Sequence, residues 1–378
     1  MFAAAMSAAG ASRAHAQLAA VSRADAVASA VAHGARFALA RADTSVAAAQ
    51  LRAARMFQNP ALAWSYSKST PQQHFALELP LEIFGQRGAR VGSANSARGA
   101  AQFRFAFEQA AARLEADTTY TRVLAARERH RLSARNAVDA DSLRRMAAVR
   151  RDAGDASDLD VELAAVSAGQ VANIAAADSL SYLSSLLDLQ AVMGLTADRV
   201  AITPTDTLIA PPSDAAVDST LADGAAPLQV EAARASLESA RLLASMERRN
   251  IFGSPAISVG FEKGDPTGAE PGILPTFGVS LPIPLLNQNR GPIALAQAEQ
   301  ERARAELALT EALTKADIAR TRREYTIALT KVDRDRALVV SATRVATMSL
   351  TAYREGAASL PNVLEAQRSA REVQSQYV

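Results

Sequence analysis

Large apolar residues alternate with small or polar ones in four short stretches of the chain. Leu62, Trp64 and Tyr66 are separated by Ala63 and Ser65, and Phe75, Leu77 and Leu79 by Ala76 and Glu78. Ile257, Val259 and Phe261 alternate with Ser258 and Gly260, and Phe277, Val279 and Leu281 with Gly278 and Ser280. A period of two predicts strands over about 61–67, 74–82, 256–263 and 276–283, each with one apolar face and one small or polar face. Elsewhere the pattern is helical. From about Ala89 to Arg151, and again from about Pro292 to Arg354, the interior holds no proline and no glycine beyond Gly92 and Gly99. Each run of about 63 residues would be roughly 95 Å long as one helix. Ordinary globular helices run only about 8–20 residues. Ile318, Tyr325, Leu329, Val332 and Val339 follow coiled-coil spacing, which predicts a seam buried against a neighbouring helix.

The same plan occurs twice. Asn59-Pro60-Ala61-Leu62-Ala63 matches Ser254-Pro255-Ala256-Ile257-Ser258 at an offset of 195 positions. Phe75-Ala76-Leu77-Glu78-Leu79-Pro80-Leu81 matches Phe277-Gly278-Val279-Ser280-Leu281-Pro282-Ile283 at an offset of 202, as Arg151–Ser157 matches Tyr353–Ser359. Three ordered matches at a nearly fixed offset predict an internal structural repeat. The first copy is 21–195 and the second 225–378. Each reads as a helix (about 21–57 and 225–252), a strand pair, a very long helix, a glycine turn and a returning helix. The segment 196–224 carries Pro204, Pro211 and Pro212 and reads as a linker. The counterpart of Gly194 would fall about 18 residues beyond Val378, so the last helix reads as truncated. Residues 1–20 read as a signal-peptide remnant or a disordered terminus, with Ala14-His15-Ala16 an acceptable cleavage site.

Gly154 and Gly356 stand where the long helices must end, as glycine does at a left-handed C-terminal cap. Ser157 with Asp160 fits a capping box, and Ser359 is placed to cap likewise, with Pro361 tolerated in the first turn.

Composition narrows the picture further. Alanine is abundant, aromatics are 5%, and 41 basic residues nearly balance 39 acidic ones for a net charge of +2. No field of one sign marks a nucleic-acid partner. There are no cysteines, which removes disulfides, thiolate metal sites and thiol catalysis. No apolar run reaches the length of a transmembrane helix. His15, His33, His74 and His130 are scattered and none is spaced with a second zinc ligand, so each is expected to be an ordinary surface or interface residue. Phosphate-binding, dinucleotide and nucleophile-elbow motifs are missing. Neither catalysis, a cofactor nor a dedicated metal site is expected.

The strands admit two readings. They could belong to a half-buried soluble sheet, or their apolar residues could face lipid while the small and polar set lines a lumen. Four strands cannot close a barrel, and an open edge is not tolerated in hydrocarbon. A membrane reading therefore needs other chains: three copies supply twelve strands.

Over nearly its whole length after Ala20, the sequence resembles the TolC-like outer-membrane efflux proteins. The matching features are the duplicated plan and the strand exits Leu79-Pro80-Leu81 and Leu281-Pro282-Ile283-Pro284. The turn motifs Gly154-x-x-Ser157-x-Leu159-Asp160-Val161 and Gly356-x-x-Ser359-Leu360-x-Asn362-Val363-Leu364 also match. Glu82–Arg87 and Asn287–Gly291 are similar to the heavy-metal, cobalt-zinc-cadmium type branch. The resemblance implies a mainly α fold with a small β part. It implies a homotrimer, in which a long α-helical barrel joins a shared 12-stranded transmembrane β-barrel in the outer membrane. It implies a passive exit duct with a periplasmic extension, a periplasmic adaptor and an inner-membrane efflux pump as partners, and outer-membrane lipid around the strands. Gly154, Ser157, Leu159, Gly356, Ser359 and Leu360 would form the adaptor-docking tip. Asp160, Asn362 and Glu365 would line the pore constriction, where Asn362 departs from the acidic residue of the best-known members. A type I secretion duct of the same fold, or a soluble coiled-coil adaptor or scaffold, are the competing expectations.

Overall fold

The computed structural model describes residues 19–195, 200, 202–209, 226–264, 267 and 272–378. The expected leader, except Ala19 and Ala20, and most of the expected linker lie outside the described residues. The chain is mainly helical with a small sheet part. In order it forms β1 (Ala19–Val21), α1 (Arg23–His33), α2 (Ala35–Arg55), β2 (Ala61–Tyr66), β3 (Gln73–Pro80), α3 (Gln86–Asp152) and α4 (Asp158–Val192). Then come β4 (Ile202–Pro204), α5 (Leu228–Arg249), a short 3₁₀ turn (Asn250–Phe252), β5 (Ala256–Lys263), β6 (Leu274–Ser280), α6 (Arg290–Arg354) and α7 (Leu360–Tyr377). The two uninterrupted runs read from the sequence are single helices of 67 and 65 residues.

Backbone contacts divide the chain into two compact units, and each draws on both repeats. The first holds the described residues of Met1–Ala35, Ala110–Ala222 and Arg322–Val378. The second holds those of Arg36–Gln109 and Asp223–Thr321.

In the first unit, β1 and β4 pair in parallel, Ala19 with Ile202 and Val21 with Pro204. Neither strand was expected: Ala19 and Ala20 fell in the excluded terminus and 202–204 in the linker. Strands this short carry no period, and their pairing is set by a packed floor beneath them. Tyr120, Val123 and Leu124 of α3 meet Leu186, Leu189 and Met193 of α4 there, together with Val21 and Ile202. The buried Tyr120 hydroxyl donates to the Val21 carbonyl at 2.9 Å, and Arg127 donates to the Pro204 carbonyl at 2.9 Å. The Val21 carbonyl also accepts from Thr205 N at 3.1 Å, so α3 adds side-chain donors at the ribbon's end. Ser22 and Asp25 form a capping box that starts α1, with Asp25 N donating to Ser22 Oγ at 3.2 Å.

The single helix expected over 21–57 is broken at Gly34, which takes an extended backbone. A Cβ there would lie 2.4 Å from the Ala30 carbonyl oxygen, so only glycine fits the exit.

In the second unit, α3 and α5 approach closely through small residues. Ser93 Oγ donates to the Ser239 carbonyl and Ser239 Oγ to the Ser93 carbonyl, each at 2.9 Å. A Cβ at Gly92 would lie 3.2 Å from Leu242 Cδ1. The sheet follows the order β2-β3-β5-β6, all antiparallel, so β3 of the first repeat pairs with β5 of the second. Leu81 N on the Pro255 carbonyl extends the β3–β5 pairing, and the strands are anchored to α3 by Gln86 Nε2 on the Gly253 carbonyl at 2.9 Å and by Arg90 on Glu82, one arm at 2.9 Å. Strand ends differ slightly from expectation: β6 stops at Ser280, so Leu281 lies one residue beyond it.

α4 ends at Gly194, whose φ is +75°, with Leu195 N on the Gln190 carbonyl and Gly194 N on the Ala191 carbonyl. A Cβ at Gly194 would sit 2.9 Å from both the His33 Cβ and its carbonyl oxygen. Gly194→Ala should therefore cost more than the ~1–2 kcal/mol of left-handed strain alone. Gly169→Ala, in the interior of α4 with open space around the new methyl, should gain up to about 1 kcal/mol. Denaturant midpoints of the detergent-extracted protein, followed by loss of helical dichroism, check both; equal effects would refute the contact with His33.

Candidate functional site

Two features of the sequence reading can be located: the sheet faces and the helix turns. On the sheet, cross-strand partners share a face. Leu62 pairs with Leu77, Trp64 with Phe75, Phe75 with Phe261, Leu77 with Val259, Leu79 with Ile257, Ile257 with Val279 and Val259 with Phe277. Tyr66 follows on the same side. Apart from Leu274, the large apolar residues of all four strands therefore form one continuous face, and Ala63, Ser65, His74, Ala76, Glu78, Ser258, Gly260, Glu262, Thr276 and Gly278 form the other, with Leu274. Phe75 and Phe261 stack with ring centres 4.8 Å apart, and Trp64 lies 6.4 Å from Phe75.

This face is exposed. Leu62 is 76% accessible, Phe277 80% and Val279 80%. Along β5 the order is inverted relative to a soluble sheet: Ile257, Val259 and Phe261 are exposed while Ser258, Gly260 and Glu262 are half-buried. Both edges, β2 and β6, lack a neighbour among the described residues.

The turns belong to the first unit. Gly154 has φ +83° and Gly356 φ +77°. At each, the residue after the glycine donates to the carbonyl five back (Asp155 to Arg150, Ala357 to Ala352), and the glycine donates three back (Gly154 to Arg151, Gly356 to Tyr353). This paired bonding closes a helix through a left-handed residue. Beneath the turns lie Leu143 and Ala147 of α3, Ala164 of α4, Tyr353 of α6, and Leu360 and Val363 of α7, with Val161 and Leu364 packed against them.

The two turns differ in their caps. Ser157 and Asp160 bond reciprocally, Asp160 N to Ser157 Oγ at 3.2 Å and Ser157 N to Asp160 Oδ2 at 3.0 Å. Ser359 makes no side-chain cap bond, contrary to expectation. Its partner position is the amide Asn362, which has no charge to draw the hydroxyl inward. Leu159 is 67% exposed, whereas Leu360 is 2% exposed and part of the core. Leu360 thus supports the turn from beneath and is not available for docking. Asn362 and Glu365 are exposed on α7; Glu365 lies 3.9 Å from Arg368. The Asp160 carboxylate is already engaged by its cap.

Arg150, which the sequence reading passed over, joins the turns. It donates to the Tyr353 carbonyl, and its guanidinium carbon lies 4.7 Å from the centre of the Tyr353 ring. The Tyr353 hydroxyl is buried without a hydrogen-bond partner. Burial pushes its pKa up, against the lowering effect of the Arg150 charge and with the help of Asp160. No sequence signal marks Arg150 among many arginines, because its partner is 203 residues away.

His74 and Glu262, from β3 and β5, meet on the polar face with Nδ1 3.0 Å from Oε1. Among the described residues no group of three or more His, Asp or Glu converges on a common point, and no helix is long and apolar enough to cross a membrane.

Antiparallel strand pairs with an exposed apolar face, each leading into a helix of 67 or 65 residues, make a fold found in outer-membrane channel structures. The structure of the outer membrane protein VceC from Vibrio cholerae superposes with a TM-score of 0.79 at 16% identity, covering 94% of this chain and 91% of that one. CusC, described for its transmembrane channel formation, gives 0.76 at 14% identity over 94% and 87%. The Campylobacter jejuni CmeC outer membrane channel gives 0.75 at 16% over 94% and 81%. In sequence, the chain is similar to the cobalt-zinc-cadmium resistance protein CzcC of Cupriavidus metallidurans, 27% identical over 254 residues. That match covers 65% of this chain and 59% of CzcC, under two thirds of its length. No protein-family model matches the chain. The resemblance to TolC-like channels, including the heavy-metal type, is supported by these similarities.

Replacing Ser157 with Ala should cost about 1 kcal/mol, the usual worth of a serine cap. Ser359→Ala should be close to neutral. Amide exchange in the first turns of α4 and α7 reads the difference; equal acceleration in both variants would contradict the asymmetry.

Proposed function

We propose that the chain is one subunit of an outer-membrane channel, the passive exit duct of a tripartite efflux system whose substrates include heavy-metal cations. The carrying observation is the inverted sheet: apolar side chains outward, the small and polar ones of β5 and β6 mostly on the more protected face, and two edges without a neighbour among the described residues. Such edges are not tolerated in hydrocarbon, and barrels begin at about eight strands. Three copies, edge to edge, close twelve strands with the apolar face to lipid and the polar face to the lumen. The likeness to VceC, CusC and CmeC supports the channel reading, and the likeness to CzcC supports the metal cargo.

On this reading the turns at Gly154 and Gly356 form the tip that meets a periplasmic adaptor, and through it an inner-membrane pump. Gly154, Ser157, Leu159, Gly356 and Ser359 are the accessible residues of that surface. Asp160, Asn362 and Glu365 form the constriction. Asp160, held in its cap, and Glu365, beside Arg368, supply its carboxylates, and Asn362 is neutral. A ring of three exposed carboxylates in a narrow pore attracts cations and repels anions.

Fractionation of expressing cells should place the protein in the outer membrane. Release should need detergent, and the released species should run as an oligomer that heating converts to monomer. Recovery as a water-soluble monomer would sink the reading. Replacing Gly154 and Gly356 together with leucine should abolish metal resistance while leaving oligomer yield intact; unchanged resistance in that double variant removes the docking role from the turns.

A further inference from the structure

The contact between His74 and Glu262 assigns a task to a histidine that sequence spacing leaves unremarkable. The two residues are 188 positions apart, and only the register of β3 on β5, which pairs them directly, brings them together. A carboxylate oxygen can only accept, so the hydrogen between them sits on His74 Nδ1. This fixes the tautomer of the neutral ring: Nε2 carries a lone pair.

Among the described residues no group donates a proton to that lone pair. The nearest group is Ser67 Oγ, 3.5 Å away. The serine hydroxyl has a single proton, and it points to the Ser69 carbonyl at 2.9 Å, with Ser69 Oγ also near at 3.2 Å. Ser67 therefore offers His74 a second lone pair. The site is reachable, since the His74 and Glu262 side chains are 34% and 30% exposed. Among the described residues, the rows beside it on this face bring no further charge. The same cross-strand row continues to Ser65 on one side and Leu274 on the other, and the next row on this face is Ala63, Ala76, Gly260 and Thr276. Glu78 stands one row further.

An imidazole whose far nitrogen is held by a carboxylate, with its near nitrogen lone pair free beside an oxygen, has the arrangement that orients histidine as a metal ligand. Imidazole selects borderline divalent ions such as Zn²⁺ over the hard Mg²⁺ and Ca²⁺. We propose that His74, oriented by Glu262 and flanked by Ser67, is a contact site for a borderline divalent transition-metal ion on the polar face of the sheet. The ion takes the Nε2 lone pair, with Ser67 Oγ and water completing its shell. One protein nitrogen gives weak, rapidly exchanging binding, which suits a wall that a cation must leave. The site rests on the duct reading for its place in a lumen, but the coordination itself does not.

The test uses the purified, detergent-solubilised wild-type protein and diethyl pyrocarbonate, which acylates free imidazole nitrogens, with site-resolved mass spectrometry. Zn²⁺ should slow modification of His74 several-fold while leaving the exposed His33 unchanged, and Mg²⁺ should protect neither. Glu262→Gln should weaken the Zn²⁺ protection about 10-fold, as loss of an orienting carboxylate does. Equal His74 rates with and without Zn²⁺, or equal protection of His33, overturn the proposal. Undiminished protection in Glu262→Gln overturns the orienting role. Outer-membrane fractionation without protection loses the site and keeps the duct; protection in a soluble protein keeps the site and loses the duct.

Discussion

A backbone amide in hydrocarbon must find its hydrogen-bond partner in protein, because lipid offers none. That constraint gives the four-stranded sheet its meaning. A soluble sheet hides its apolar face and leaves edges to water. Here Leu62, Trp64, Phe277 and Val279 stand exposed, and β2 and β6 each end the sheet. In water such a face is an aggregation hazard. In a bilayer it is the required outer surface, provided other strands complete the ring. The proposed sharing of strands between copies follows from that condition, and so does the need for strands to alternate strictly: a slip of one residue would carry the polar set to the lipid.

The helices answer a related demand. A helix that packs on two sides needs small residues where backbones approach. The Ser93–Ser239 pair and Gly92 against Leu242 supply such an approach between α3 and α5. α6 is different: Leu309, Leu313, Ile327, Leu338, Val340 and Val345 are exposed along it, and the heptad positions Tyr325, Leu329, Val332 and Val339 are only half-buried. Apolar positions on more than one side of a long helix suit a wall shared between neighbours.

Features written in local chemistry were legible in the sequence. Strand alternation, unbroken helical runs and the glycines of the turns need only near neighbours, and the strand faces and the caps at Gly154, Gly356 and Ser157 lie where those patterns put them. What escaped depends on distant partners. The β1–β4 ribbon has three residues per strand and is held by Tyr120 and Arg127 from α3. The His74–Glu262 contact requires the pairing of the two repeats. Leu360 was misplaced because position in a motif does not say which way a first-turn side chain points; packing against Tyr353 and Val363 decides it.

The two turns show how a duplicated backbone can be sustained by unlike means. Their main-chain bonding is the same, and both glycines are left-handed. The first turn is secured locally, by Ser157 and Asp160. The second lacks that cap and depends on the first repeat: Arg150, one residue upstream of the Arg151 carbonyl that closes its own turn, bonds the Tyr353 carbonyl and stacks on the Tyr353 ring. A carbonyl already bonded by Gly356 so gains a second, charged donor, and the cation over the ring adds to it. The Tyr353 hydroxyl, buried without a partner, contributes nothing to offset its own desolvation. What the ring contributes is its face, on which Arg150 stacks. Where the first turn has a cap within one helix end, the second has a contact between two helix ends, added to the same main-chain bonds.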